Sequence, residues 1–102
     1  MSSIGKSIKI VGDVSGGEDL VVHGRIEGEV QLPDHRVVVA EEGAIEGDLN
    51  VASVDMKGSF NGRIVASQTV SLGATARAEG SISSPSVSMA DGAGFRGALE
   101  TK

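Results

Sequence analysis

The pattern Gly-x-Φ-x-Gly-x-Φ, with Φ a large apolar residue, appears as GRIEGEV at residues 24–30 and again as GSFNGRI at residues 58–64. A chain that writes one device twice is read first for its period, because an internal repeat constrains a fold more than local propensity does. The second glycine of the pattern recurs as Gly12, Gly28, Gly47, Gly62, Gly80 and Gly97, at intervals of 16, 19, 15, 18 and 17 residues. Two residues before it stand Ile10, Ile26, Ile45, Phe60, Ala78 and Phe95. Two residues after it stand Val14, Val30, Leu49, Ile64, Ile82 and Leu99. Four residues before it the chain is small in every copy but the first: Ile8, Gly24, Gly43, Gly58, Ala76 and Ala93.

A further apolar pair precedes all blocks but the first: Leu20 and Val22, Val37 and Val39, Val54 and Met56, Val70 and Leu72, Val87 and Met89. The link between pair and block is HG or KG in two copies and AEEG, GATA or ADGA in three. Length therefore varies in a connector while the apolar alternation is kept, as for a tolerated loop insertion in a repeat. The alternation has period 2, the signature of half-buried strands, and no amphipathic helix of useful length is written.

About 17 residues per repeat suits one coil of a β-solenoid with three short strands and three corners, and the glycine marker occurs in six copies. The predicted fold is all-β, a right-handed parallel β-helix of about six coils. Right-handedness is expected because parallel crossovers are strongly biased that way, and because left-handed hexapeptide repeats hold to multiples of six, which intervals of 15 to 19 do not. The Gly/Ala columns share the inward parity of the large residues and are read as corners, where a side chain would strike the opposite wall. The predicted division is a short N-terminal tail at 1–7, a β-helical domain at 8–100 and a C-terminal tail at 101–102.

One coil cannot bury its own apolar face, so a solenoid depends on stacking and leaves an open layer at each end. Soluble monomers blunt such edges with charges, prolines or a covering element. The flanks of this chain, residues 1–7 and Glu100 to Lys102, are expected to form no cap. Self-association by strand addition is the physical expectation. Its candidate surfaces are Val87, Met89, Phe95 and Leu99 in the last coil, and Ile8, Ile10 and Val14 in the first.

The stretch SIKIVGDVSGGEDLVVHGRIEGEV, followed by AIEGDL, FNGRI and the closing GAGFRGAL, closely resembles the bactofilins, bacterial polymer-forming cytoskeletal proteins. The resemblance covers residues of about 4 to 100 and is most specific over residues 12 to 28. It implies a right-handed β-helix and nucleotide-independent assembly into non-polar filaments, bundles or sheets. It also implies a scaffold role for cell-wall enzymes, polarity factors or chromosome-segregation proteins. A last-coil phenylalanine, important for polymerisation in the family, corresponds to Phe95 in GAGFRGAL, where Ala93 stands at the first glycine of the family's GxFxG. Family members often carry longer proline-rich tails, and the N-terminal one can bind membrane. Here a weak membrane contact has only Ile4 and Lys6 of MSSIGK to draw on, and membrane association is expected through partners instead.

The composition narrows the remaining chemistry. There is no cysteine, hence no disulfide or thiolate metal site. The net charge of −5, scattered mixed charges, and Phe60 and Phe95 as sole aromatics speak against nucleic acid. No signal peptide or membrane span is written, so a cytosolic protein is expected. His23 in a short connector and His35 in PDHR stand without a ligand constellation. GGED at 16–19 reads as a turn, not a phosphate cradle, and ADGAG at 90–94 lacks the Asp series of a calcium loop. Glu27, Glu29, Glu46 and Asp48 read as a solvated acidic face. No catalytic residue, cofactor or metal is expected. Beside the structural polymer stand two alternatives: a hexapeptide-type β-helix acyltransferase, and a monomeric β-helical binding module whose ends are shielded by partners.

Overall fold

Short β-branched runs of alternating parity bury one face and expose the other when they stack in register. The structure, a computed structural model, describes residues 2–101 and realises that stacking throughout. Its strands are β1 (Ser2–Ile4), β2 (Lys9–Val11), β3 (Val14–Ser15), β4 (Leu20–Val22), β5 (Arg25–Val39), β6 (Ala44–Met56), β7 (Ser59–Leu72), β8 (Arg77–Ser84), β9 (Val87–Met89) and β10 (Gly94–Thr101). All pair in parallel, in the order β1-β4-β5-β6-β7-β8-β10, with β2 and β3 on β5 and β9 on β7. This is a β-solenoid of about six turns.

The register joins residues that the repeat aligns. Ile10 lies on Ile26, then Ile45, Phe60, Ala78 and Phe95. Val14 lies on Val30, then Leu49, Ile64, Ile82 and Leu99. These columns and those of Val22 and Val37 meet in a single buried core. In the middle of the rod the sides merge, so that β5 runs for 15 residues and β7 for 14. The corner at the glycine marker lasts one residue, and pairing continues through it.

The marker glycines have φ between 119° and 137°, a left-handed region that other residues rarely adopt. Their crowding, however, does not come from the opposite wall. A Cβ on Gly28, Gly47, Gly62, Gly80 or Gly97 would drive into the carbonyl oxygen of the marker glycine one coil before it. Gly24 and Gly58 are closed by backbone carbonyls of the preceding coil in the same way. The glycine columns are thus set by contact between successive coils along the rod.

The first coil begins earlier than the sequence suggests. Ser2–Ile4 is a strand paired with Leu20–Val22, and Ile4, only 5% exposed, sits in register with Val22. The reading of 1–7 as a tail missed it because this pair is Ser2 and Ile4, apolar at one position of two. Ile4 is consequently part of the core, while Lys6 lies exposed in the turn that follows. At the other end β10 continues to Thr101, which pairs with Ser84; Met1 and Lys102 lie outside the described residues.

The connector between pair and block takes two forms. Four-residue turns at 5–8, 40–43, 73–76 and 90–93 are closed by the N–H of Ile8, Gly43, Ala76 and Ala93 donating to the carbonyl three residues back. Two-residue corners stand at 23–24 and 57–58. A second connector also varies: from Val14, Val30, Leu49, Ile64 and Ile82 to the next apolar pair the count is 6, 7, 5, 6 and 5 residues. Its shortest form, through Ala52, and its longest, PDHR, produce the register shifts in β5 and β6.

Candidate functional site

The columns that close the core in mid-rod open at its two ends. In the last coil Leu99 is 44% exposed and Met89 43%, whereas Ile82 and Leu72, one coil back, are buried. Val87 and Phe95 are half-buried and pack on the core, above fully buried Val70 and Ala78. Phe95 lies in register over Ala78, the smallest member of its column, and both line a recess of about 540 Å³. In the first coil Ile8 is 48% exposed, and Ile10 and Val14 are half-buried over buried Ile26 and Val30. The structure therefore brings the sequence-derived residues into two separate groups, one per end.

Two features of the first end were missed from sequence. Val11, 73% exposed, points outward beside Lys9 and is the most exposed large apolar side chain among the described residues. A hollow of about 500 Å³ also opens under the rod, lined by Val14, Leu20 and Leu32 and by Gly16 and Gly17. Gly16 occupies the place that Leu32 fills one coil on, since a Cβ built on it would face the Leu32 side chain. The available signal was Gly16 itself, four residues after its marker, where the next two copies carry Leu32 and Val51.

Charged side chains cross-link neighbouring coils on the outside. Lys9 Nζ lies 3.3 Å from Glu27, Arg25 lies 3.5 Å from Glu27, and Arg25 reaches Glu46 at 2.9 Å. These contacts tie the first three coils along one side. The hydrogen bond from Lys9, helped by the charges of Lys9 and Arg25, holds the Glu27 carboxyl below its ordinary value of 4.5. His23 Nδ1 stands 2.7 Å from Glu42, and this bond holds the Glu42 carboxyl low as well. His35 stands 3.6 Å from Asp19, whose Oδ1 also accepts the Arg36 N–H at 3.0 Å. Both histidines thus pair with carboxylates across coils. Among the described residues no group of three or more His, Cys, Asp or Glu is placed to hold a metal ion.

The Glu27 ladder carries a direct prediction. A carboxyl whose folded value is depressed adds stability above its unfolded value, and that stability is lost as pH falls through the folded value. In Lys9→Ala the Glu27 midpoint, followed by carboxyl NMR, should move up toward 4.5. An unchanged midpoint would dismiss the Lys9 contact as its cause.

A parallel β-solenoid with two open end coils belongs among the repeat proteins, in which each coil contacts only its neighbours. The family model described as "Bactofilin: Polymer-forming cytoskeletal" matches residues 2–100, and the chain belongs to the bactofilins. It is similar to bactofilin BacO of Myxococcus xanthus (strain DK1622), 39% identical over 97 residues, covering 95% of this chain and 76% of the relative. It is similar to bactofilin BacP of the same organism, 37% identical over 97 residues, covering 95% of this chain but 40% of that longer protein. Bactofilin BacN matches over 46 residues at 41% identity, covering 45% of this chain and 40% of the relative. No solved structure matches the chain. No helix among the described residues is long and apolar enough to cross a membrane.

Proposed function

We propose that this chain assembles end to end, without nucleotide, into filaments that bundle or spread into a scaffold for cell-shape, cell-wall or polarity factors. The observation that carries this reading is the contrast within each core column: Ile64 and Ile82 are buried, and Leu99, the next member, is 44% exposed. Stacking a second rod on that end extends the column by one layer. It buries apolar area at about 25 cal/mol per Å² and pairs backbone groups at about 1 kcal/mol net for each bond.

The same holds at the first end for Ile8, Ile10 and Val14. Two sticky ends whose contacts do not close into a ring extend into a filament. If each end meets its own kind, successive rods alternate in direction and the filament has no polarity. Membership of a polymer-forming family supports the reading. Cell-wall enzymes, polarity factors or chromosome-segregation proteins are the proposed clients, by the same family likeness.

Negative-stain microscopy of the purified protein, in buffer free of nucleotide, is expected to show filaments many rods long. Discrete trimers would favour the acyltransferase-type alternative and monomers the shielded binding module; either would overturn the proposal.

A further inference from the structure

A different surface, on one long side of the rod, carries a charge pattern that is its own complement. Just past the glycine corner, Glu29, Asp48, Arg63 and Ser81 stack in register on successive coils. Beside them run Gln31, Asn50, Val65 and Ser83. Asp48 and Arg63 are both exposed, and neither makes an ion pair, although they are neighbours across two coils. Glu29 accepts only a neutral hydrogen bond, from Gln31 Nε2 at 3.2 Å. Glu29, Asp48 and Arg63, with Gln31, Asn50 and Val65, line a recess of about 190 Å³. Val65, 38% exposed, is the exposed large apolar residue of this side away from the rod ends.

We propose that two copies of this chain associate side by side and antiparallel through this face, Arg63 of each entering the recess beside Asp48 and Glu29 of the other. An isologous contact needs donor and acceptor on one patch, on opposite sides of the two-fold axis. Asp48 and Arg63 satisfy this: an axis lying in the contact plane, across the rod between their two coils, sets each over the other's counterpart. The same operation puts Val65 over Asn50 and Glu29 over Ser81, a hydroxyl able to donate to it. Two arginine–carboxylate contacts form per pair, and repetition along a filament multiplies a modest contribution. The contact uses neither end coil, so it does not rest on end-to-end growth.

The test is a charge swap divided between two proteins, Arg63→Asp in one and Asp48→Arg in the other. At about 0.01 M salt, where the screening length is about 30 Å, wild-type filaments are expected to run as lateral pairs in negative stain. At about 1 M salt, with screening near 3 Å, they separate. Each variant alone confronts like charges, and its paired filament length is expected to fall on the order of ten-fold, with filament length and circular dichroism kept. Mixing the two variants restores pairing, because Asp48 and the new aspartate of one face Arg63 and the new arginine of the other. If the wild type forms no filaments, the same four samples are read by sedimentation velocity as dimer against monomer. Wild-type rods that do not pair at low salt, single variants that pair like the wild type, or a mixture that does not regain pairing would each overturn the proposal.

Discussion

Phe95→Arg is expected to leave a folded solenoid that no longer elongates. In the folded rod Phe95 is half-buried over Ala78 at the outer layer of the core. An arginine there keeps its stem on the apolar surface and lifts its guanidinium into water, so the rod itself tolerates the change. A second rod stacked on that end removes the water. An uncompensated charge at a dry contact costs several kcal/mol, and each 1.4 kcal/mol is ten-fold in affinity. The concentration needed for assembly should rise by about a hundred-fold or more. Pelleting and negative stain should find no long filaments at concentrations where the wild type pellets, while the β-rich circular dichroism is kept. Filaments of wild-type length in this variant would remove Phe95 from the contact.

The repeat was legible in the sequence because its two period-setting residue types are hard to substitute. Marker glycines need a backbone region closed to other residues, and the column residues from Ile26 to Ile82 are shut in a core where volume is felt. What escaped notice lay where those demands relax. The opening strand was invisible because Ser2 stands where the other coils carry an apolar residue. The hollow at Gly16 escaped because GG at 16–17 reads first as a turn and not as a gap in the column of Leu32. The repeat already aligns Asp48 with Arg63, each following a marker glycine, but that their charges stay unpaired and line a recess shows only in the structure. The end residues Phe95, Leu99 and Ile10 were legible as a class, but their partial exposure is a property of position in the stack.

The marker glycines are also where single substitutions should act most strongly on folding, and they allow two causes to be separated. Gly12 and Gly47 share a φ of 124°. No atom lies within 4 Å of a Cβ built on Gly12, because its coil is the first, whereas a Cβ on Gly47 would collide with the carbonyl oxygen of Gly28. Gly12→Ala therefore carries only the backbone cost, on the order of 1–3 kcal/mol. Gly47→Ala adds a clash between two main chains, both pinned by parallel pairing, that no rotamer change can relieve. Its expected loss exceeds about 4 kcal/mol, in the range reserved for severe local disruption. At roughly 4–8 °C per kcal/mol for a domain of this size, Gly47→Ala should lose about 20 °C or more in Tm, or fail to fold, and Gly12→Ala clearly less. Thermal unfolding is best followed in the Phe95→Arg background, so that assembly does not add to apparent stability. Equal losses at the two sites would show that φ alone makes these positions glycine, and that the coils do not stack as closely at this corner as the structure has them.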